Sequence, residues 1–176
     1  YGKDYKENTK RLLKEAKLCD EIKTGARIGI KKQFSNVSWY GKGPHEAYCD
    51  RKHGQKICKN SMNISELSHH YMRPQENGQR TDVRYLEISD GNGKGLKFTS
   101  TGDKPFCFNC FHYSVEALDK AAHIHELEHK DMTTVCIDAM QRGVGGDMPG
   151  SACLRDPYIM HKGTKYKYSF NIETLD

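Results

Sequence analysis

The apolar residues of this chain recur mostly in short runs, often alternating with polar ones and broken by Gly, Asp, Asn and Pro, a texture that predicts strands. Residues 5–23 differ. Leu12, Leu13, Ala16 and Leu18 interleave with Lys and Glu at helical spacing, and Glu7 precedes Arg11 by one turn. A helix is expected there, ended by Gly25. Strands are then expected at Arg27–Ile30, Val37–Tyr40 and Asp82–Ile88, with the turn Asp90-Gly91-Asn92-Gly93 leading into Leu96–Thr99. Phe106 to Tyr113 is apolar on both alternating faces, as a central buried strand would be. Ser114 is placed to cap a short helix through Val115, Leu118, Ala121 and Ala122. Thr133–Ala139 and Tyr166–Ile172 are the last expected strands. Together these predict an antiparallel β architecture with long connections and minor helix.

At 176 residues the chain suits one domain with its own core, divided here into a charged segment, 1–25, and a β domain, 26–176. Its 36% hydrophobic and 29% charged residues fit a soluble globular chain. No apolar run approaches the roughly 20 residues that span a bilayer, so no membrane partner is expected. No signal peptide is visible at Tyr1, which suggests a processed or excised chain. The net charge of +5 arises entirely within residues 1–32, and the rest of the chain balances. That is a solvated charged segment and not the basic, aromatic-studded surface of a nucleic-acid binder, so no nucleic acid is expected. The seven cysteines include several in apolar runs, where they act as small hydrophobes; the redox compartment stays open.

Two catalytic patterns are weaker than they look. His125-Glu126-Leu127-Glu128-His129 is a literal H-E-x-x-H, which on a helix would set two imidazoles on one face for zinc. No downstream ligand completes it, and a polar helix end accounts for it. Cys107-x-x-Cys110 with His112 lacks a second ligand pair, and strand alternation puts Cys107 on the face opposite Cys110. No metal site is therefore expected. Two loops, Trp39–Arg51 and Arg73–Arg84, concentrate Gly, Pro and hydrogen-bonding groups. Such loops either recognise a polar ligand or satisfy one another. The expected network comprises His45, Glu46, Arg51, Arg73, Glu76, Asn77 and Arg80. A third loop, Gln141–Gly150, carries four glycines but lacks the setting of a phosphate loop. Gly145, Gly146 and Asp147 are expected to form a tight exposed turn directed away from the core.

W-Y-G-K-G-P-H-E-A-Y-C-D-R (39–51), R-P-Q-E-N-G-Q-R-T-D-V-R (73–84) and Q-R-G-V-G-G-D (141–147), in that order, resemble the last domain of glycoside hydrolase family two β-galactosidases. Ala121-Ala122-His123 with Glu126-Leu127 fits the same pattern, and the resemblance covers about residues 26–172. It implies an antiparallel β supersandwich of the galactose mutarotase type, matched here over about its second half. It also implies an accessory C-terminal domain of a β-galactosidase-like hydrolase. In that family the two carboxylates, about 5–5.5 Å apart for retention, and the metal ions sit in a separate barrel. The implied partners are a β-galactoside, that barrel and a homo-oligomer, and the implied setting is bacterial cytoplasm or periplasm. No catalytic residue and no cofactor is expected on this chain. The carbohydrate-facing loop would be Gly146, Asp147, Met148, Pro149 and Gly150. The family places a sugar-stacking Trp there, which an ungapped match sets at Gly150, while Trp39 lies in another motif. Losing that ring should weaken a lactose-like aglycone by on the order of a kcal/mol, with Met148 and Pro149 lining the space instead. Two alternatives remain: an aldose mutarotase-like enzyme using His45, His70 and Glu76 as acid and base, and a carbohydrate-binding module.

Overall fold

A computed structural model of the chain describes residues 23–146 and 154–176. Outside the described residues lie Cys19, Cys153, the loop positions Asp147 to Gly150, and the expected helix except for Lys23, which already belongs to a strand.

Among the described residues nine strands form two antiparallel sheets. One sheet runs, side by side, β1 (Lys23–Lys31), β8 (Met132–Gln141), β7 (Phe106–Phe111) and β4 (Arg80–Val83). The other runs β3 (Lys56–Asn63), β2 (Asn36–Gly43), β5 (Tyr85–Ser89), β6 (Gly95–Ser100) and β9 (Phe170–Leu175). Two short helices, α1 (Ile64–Leu67) and α2 (Val115–Lys120), bridge strands; Ser114 Oγ caps α2 by accepting from Ala117 N at 3.1 Å. Among the described residues no helix is long and apolar enough to cross a membrane.

The core fills the space between the sheets. Val37, Trp39, Leu86, Ile88 and Phe98 face Phe106, Phe108, Cys110, Val135 and Ile137. Trp39 meets Phe108 edge to face, with ring centroids 5.6 Å apart. Each such side chain contributes about 1.5–3 kcal/mol on burial, so this layer dominates the sandwich.

Three elements depart from the sequence expectation. β3 has too few apolar residues to announce itself, yet it pairs in register with β2 from Asn36↔Asn63 to Gly43↔Lys56. The last strand is Phe170–Leu175 instead of Tyr166–Ile172, because Ser100↔Phe170 and Gly95↔Leu175 set its register on β6. The stretch Asp82–Ile88 is not one strand. It turns a corner from the first sheet to the second. Arg80 pairs with Phe108 and Val83 with Phe106, so β4 holds one residue more than β7 over that interval, a bulge. Asp82 takes the left-handed conformation there, φ 56°, which Asp tolerates better than most residues. Lys52 Nζ fixes its carboxylate at 3.0 and 3.2 Å. Beyond the corner Arg84 N donates to Tyr40 O and Arg84 O accepts from Ser100 N, both at 2.8 Å.

This corner passes directly over β2 at Gly41. A Cβ there would lie 2.8 Å from Val83 Cγ2 and 2.9 Å from Val83 Cα. Gly41→Ala should therefore destabilise the chain by about 1–3 kcal/mol, since the obstacle is partly backbone and cannot swing aside. Urea denaturation measures it; an unchanged midpoint would mean that the corner is not tightly seated on β2.

Candidate functional site

The two polar loops meet at one end of the sandwich, and Glu46 joins them. Its Oε2 accepts from Gly78 N at 2.9 Å, and its Oε1 accepts from Arg51 Nη2 at 3.2 Å and from the Tyr71 hydroxyl. Burial, then the bond to Glu46, push the Tyr71 phenol up, so it stays a donor. Ala47 N donates to Gln79 O at 2.7 Å, a backbone tie between the same loops. Gly78 adopts φ 74°, and a Cβ there would lie 3.0 Å from Leu67 O. Its own carbonyl accepts from Arg80 Nη1 at 2.7 Å. Arg80 is 2% exposed. Burial lowers its pKa to about 10 against the opposing pull of Glu46. Its guanidinium lies over Trp39, 5.4 Å from the ring centroid.

A second group lies beside the first. Asn109, fully buried in β7, donates to Glu76 Oε1 at 2.9 Å and to Asn77 O at 2.7 Å. Asn77 in turn accepts from His69 N and donates to Gln75 O. Behind Glu76 stands Lys23 Nζ, 3.7 Å from Glu76 Oε2 and 3.9 Å from Asp138 Oδ2. Burial pushes the Asp138 carboxyl up to about 6; Lys23 pulls it down and Glu76 pushes it up. On Lys23 itself burial opposes the charge, but attraction to Glu76 and its neighbours prevails and raises the pKa. Several buried polar atoms of this group have no hydrogen-bond partner among the described residues, including Lys23 Nζ, Asn109 Oδ1, Asp138 Oδ2 and Gln141 Oε1.

The third loop is rooted in the first. Gly145 N donates to Asp50 Oδ2 at 2.8 Å, and Gly143 N donates to Tyr158 O at 2.9 Å. Gly145 and Gly146 have φ 71° and 97°, and Gly146 is exposed. Arg51, Tyr71, Glu76, Gln141, Arg142 and Gly145 are among the residues lining a cleft of about 420 Å³. All three motif segments thus contribute to one cleft.

Not every expected residue joins. His45 and Arg73 are exposed, and neither pairs with a described residue. His70 lines a separate cavity of about 210 Å³, among His69, His112 and His129, while Glu76 lines the cleft. An acid–base pair of His70 and Glu76 across one pocket is therefore not assembled. His125 and Glu126 lie in a single 3-10 turn, Ile124–Glu126, and not on a helix. The Glu126 carboxylate accepts from Ala122 N at 2.8 Å and the His123 and His125 rings stack, so local bonding accounts for the pattern. Cys110 lies in the core, where burial pushes its thiol up, and Cys107 does not join it. Among the described residues no three His, Cys, Asp or Glu side chains are placed to hold a metal ion. Tyr71, Lys23 and Asp138 had no sequence signal, while Gln141 opens the third motif. Asn109 had one: an amide inside an apolar strand needs a buried partner.

The family model described as β-galactosidase small chain matches residues 6–172. A β-galactosidase of Streptococcus thermophilus is 35% identical over 152 residues, 86% of this chain and 15% of that protein. One of Priestia megaterium is 35% identical over 151 residues, 86% of this chain and 14% of the relative. One of Halalkalibacterium halodurans is 32% identical over 142 residues, 81% of this chain and 14% of the relative. The chain thus spans only about one seventh of the length of these relatives.

The raised Asp138 pKa sets a pH dependence. A carboxyl raised from 3.8 to about 6 stabilises the fold fully below 3.8, and that stability is lost as pH rises through about 6. At about 1.4 kcal/mol per tenfold, ionisation costs the fold about 2–3 kcal/mol. Asp138→Asn should equal the native chain in stability near pH 4 and exceed it at pH 8. A difference that is flat across that range in denaturation experiments would show that Asp138 titrates normally.

Proposed function

The chain belongs to the β-galactosidase small-chain family, and from that premise we propose that it serves as an accessory domain of a family two β-galactosidase-like glycoside hydrolase. In this reading the paired carboxylates and the metal ions belong to another domain of the larger protein. This chain holds the loop from Gly146 to Gly150 against the aglycone side of that domain's pocket. The observation that carries the reading is the anchoring of the third motif by the first, Gly145 N on Asp50 Oδ2. A part-buried hydrogen bond at the loop's root fixes its point of departure from the strand end, which a contribution to a distant pocket requires.

The geometry also suits a role without chemistry of its own. Glu46 is engaged by Gly78 N and Glu76 by Asn109 of β7, so each has a structural hydrogen bond of its own. With Gly150 where the resemblance sets a stacking Trp, the proposed aglycone contact is weaker than in a strict lactase.

The test uses a chromogenic β-galactoside and lactose. The chain alone should hydrolyse neither. Removing this segment from an intact larger enzyme that carries it should lower kcat/KM for lactose more than for the aryl galactoside. Turnover by the isolated chain, or equal losses on both substrates, would contradict the proposal.

A further inference from the structure

The motif carboxylates each have at least one hydrogen-bond partner, whereas two groups that line the cleft have none among the described residues. Glu46 is answered by Gly78, Arg51 and Tyr71; Asp50 by Gly145; Glu76 by Asn109, with Lys23 behind it. Arg142 lines the cleft and makes no hydrogen bond or ion pair with a described residue. Gln141 lines it too; it is 2% exposed, and its Oε1 has no partner among the described residues. A buried acceptor without a donor costs about 1–3 kcal/mol until something donates to it.

We infer that this cleft is a saccharide site, in which ring hydroxyls donate to Gln141 Oε1 and the Glu76 carboxylate and accept from Arg142. The inference deepens the reading of an accessory glycosidase domain and rests on it. The chemistry of the walls excludes simpler ligands. An inorganic anion would satisfy Arg142 but meet the Glu76 carboxylate and the Gln141 oxygen. A cation would meet Arg142 and Arg51, with Lys23 behind. A hydroxyl both donates and accepts, so a neutral polyol satisfies the mixed set without an uncompensated charge. The Tyr71 ring, held by its hydroxyl on Glu46, and Val144, 37% exposed, supply apolar surface for the C–H face of a pyranose. The volume of about 420 Å³ lies in the range of small-ligand sites and holds about one or two rings.

Amide chemical shifts of the chain under titration test this, with methyl β-galactoside and lactose as probes and inorganic phosphate as the anion control. Saturable shifts are expected at Gly143, Val144 and Gly145, with a millimolar dissociation constant. Arg142→Ala, on the cleft rim, should weaken binding about tenfold while leaving the thermal midpoint unchanged. Lys59→Ala, on the exposed face of the other sheet, should change neither. Shifts that stay linear, that move elsewhere on the surface, that survive Arg142→Ala, or that phosphate reproduces at the same amides would each overturn the site. A chain that binds no sugar but whose removal still lowers lactose turnover would sink this inference alone. A chain that binds sugar but whose removal costs both substrates equally would sink the accessory reading and leave the site.

Discussion

Gly78 is held from both sides, and the candidate site depends on that arrangement. Its N–H donates to Glu46 and its carbonyl accepts from Arg80. These are opposite charges on either side of one peptide stretch, and neither is free to leave. Arg80 is buried against Trp39 with backbone carbonyls, not a carboxylate, as its hydrogen-bond acceptors. A buried guanidinium without those carbonyls would carry a large desolvation penalty, so loop 67–79 must stay where its carbonyls reach. The left-handed backbone of Gly78 and the 3.0 Å approach to Leu67 O explain why this position carries no side chain.

From that constraint the rest of the site follows. Once Gly78 is placed, Asn77 and Glu76 fall beside Asn109 of β7, and Gln79 pairs with Ala47. Asp50, a few residues on from Glu46, then secures Gly145. Glu46 and Asp50 thus hold loops together, while Glu76 is held by Asn109 and also lines the cleft. At the strand end, the Arg142 side chain and Gln141 Oε1 line the cleft without a hydrogen-bond partner among the described residues.

Much of this was legible in the sequence where one element's own residues decide it. The apolar faces of Phe106–Phe111, the Ser114 cap and the turn at Asp90–Gly93 follow from local pattern, and so does the concentration of Glu46, Glu76 and Arg80 in two loops. Other features depend on distant neighbours. β3 is a strand because β2 offers it an edge, and Asp82–Ile88 breaks because Gly41 lets the corner cross. Lys23 sits at helical spacing in a charged segment, but its place opposite Gln141 in β1 decides its state. The H-E-x-x-H string, already weak in the sequence, fails for the converse reason: its meaning requires an α-helix, and the chain supplies a single 3-10 turn.

Hydrogen–deuterium exchange at Gly78 N and Gly145 N tests this account most directly, because both amides lie in loops yet donate to carboxylates fixed by the fold. If Glu46 and Asp50 hold the loops, both amides exchange only through opening events close in free energy to those of β2 and β7. Exchange at the rate of unstructured loops, with the strands still protected, would contradict the claim that these carboxylates anchor the site.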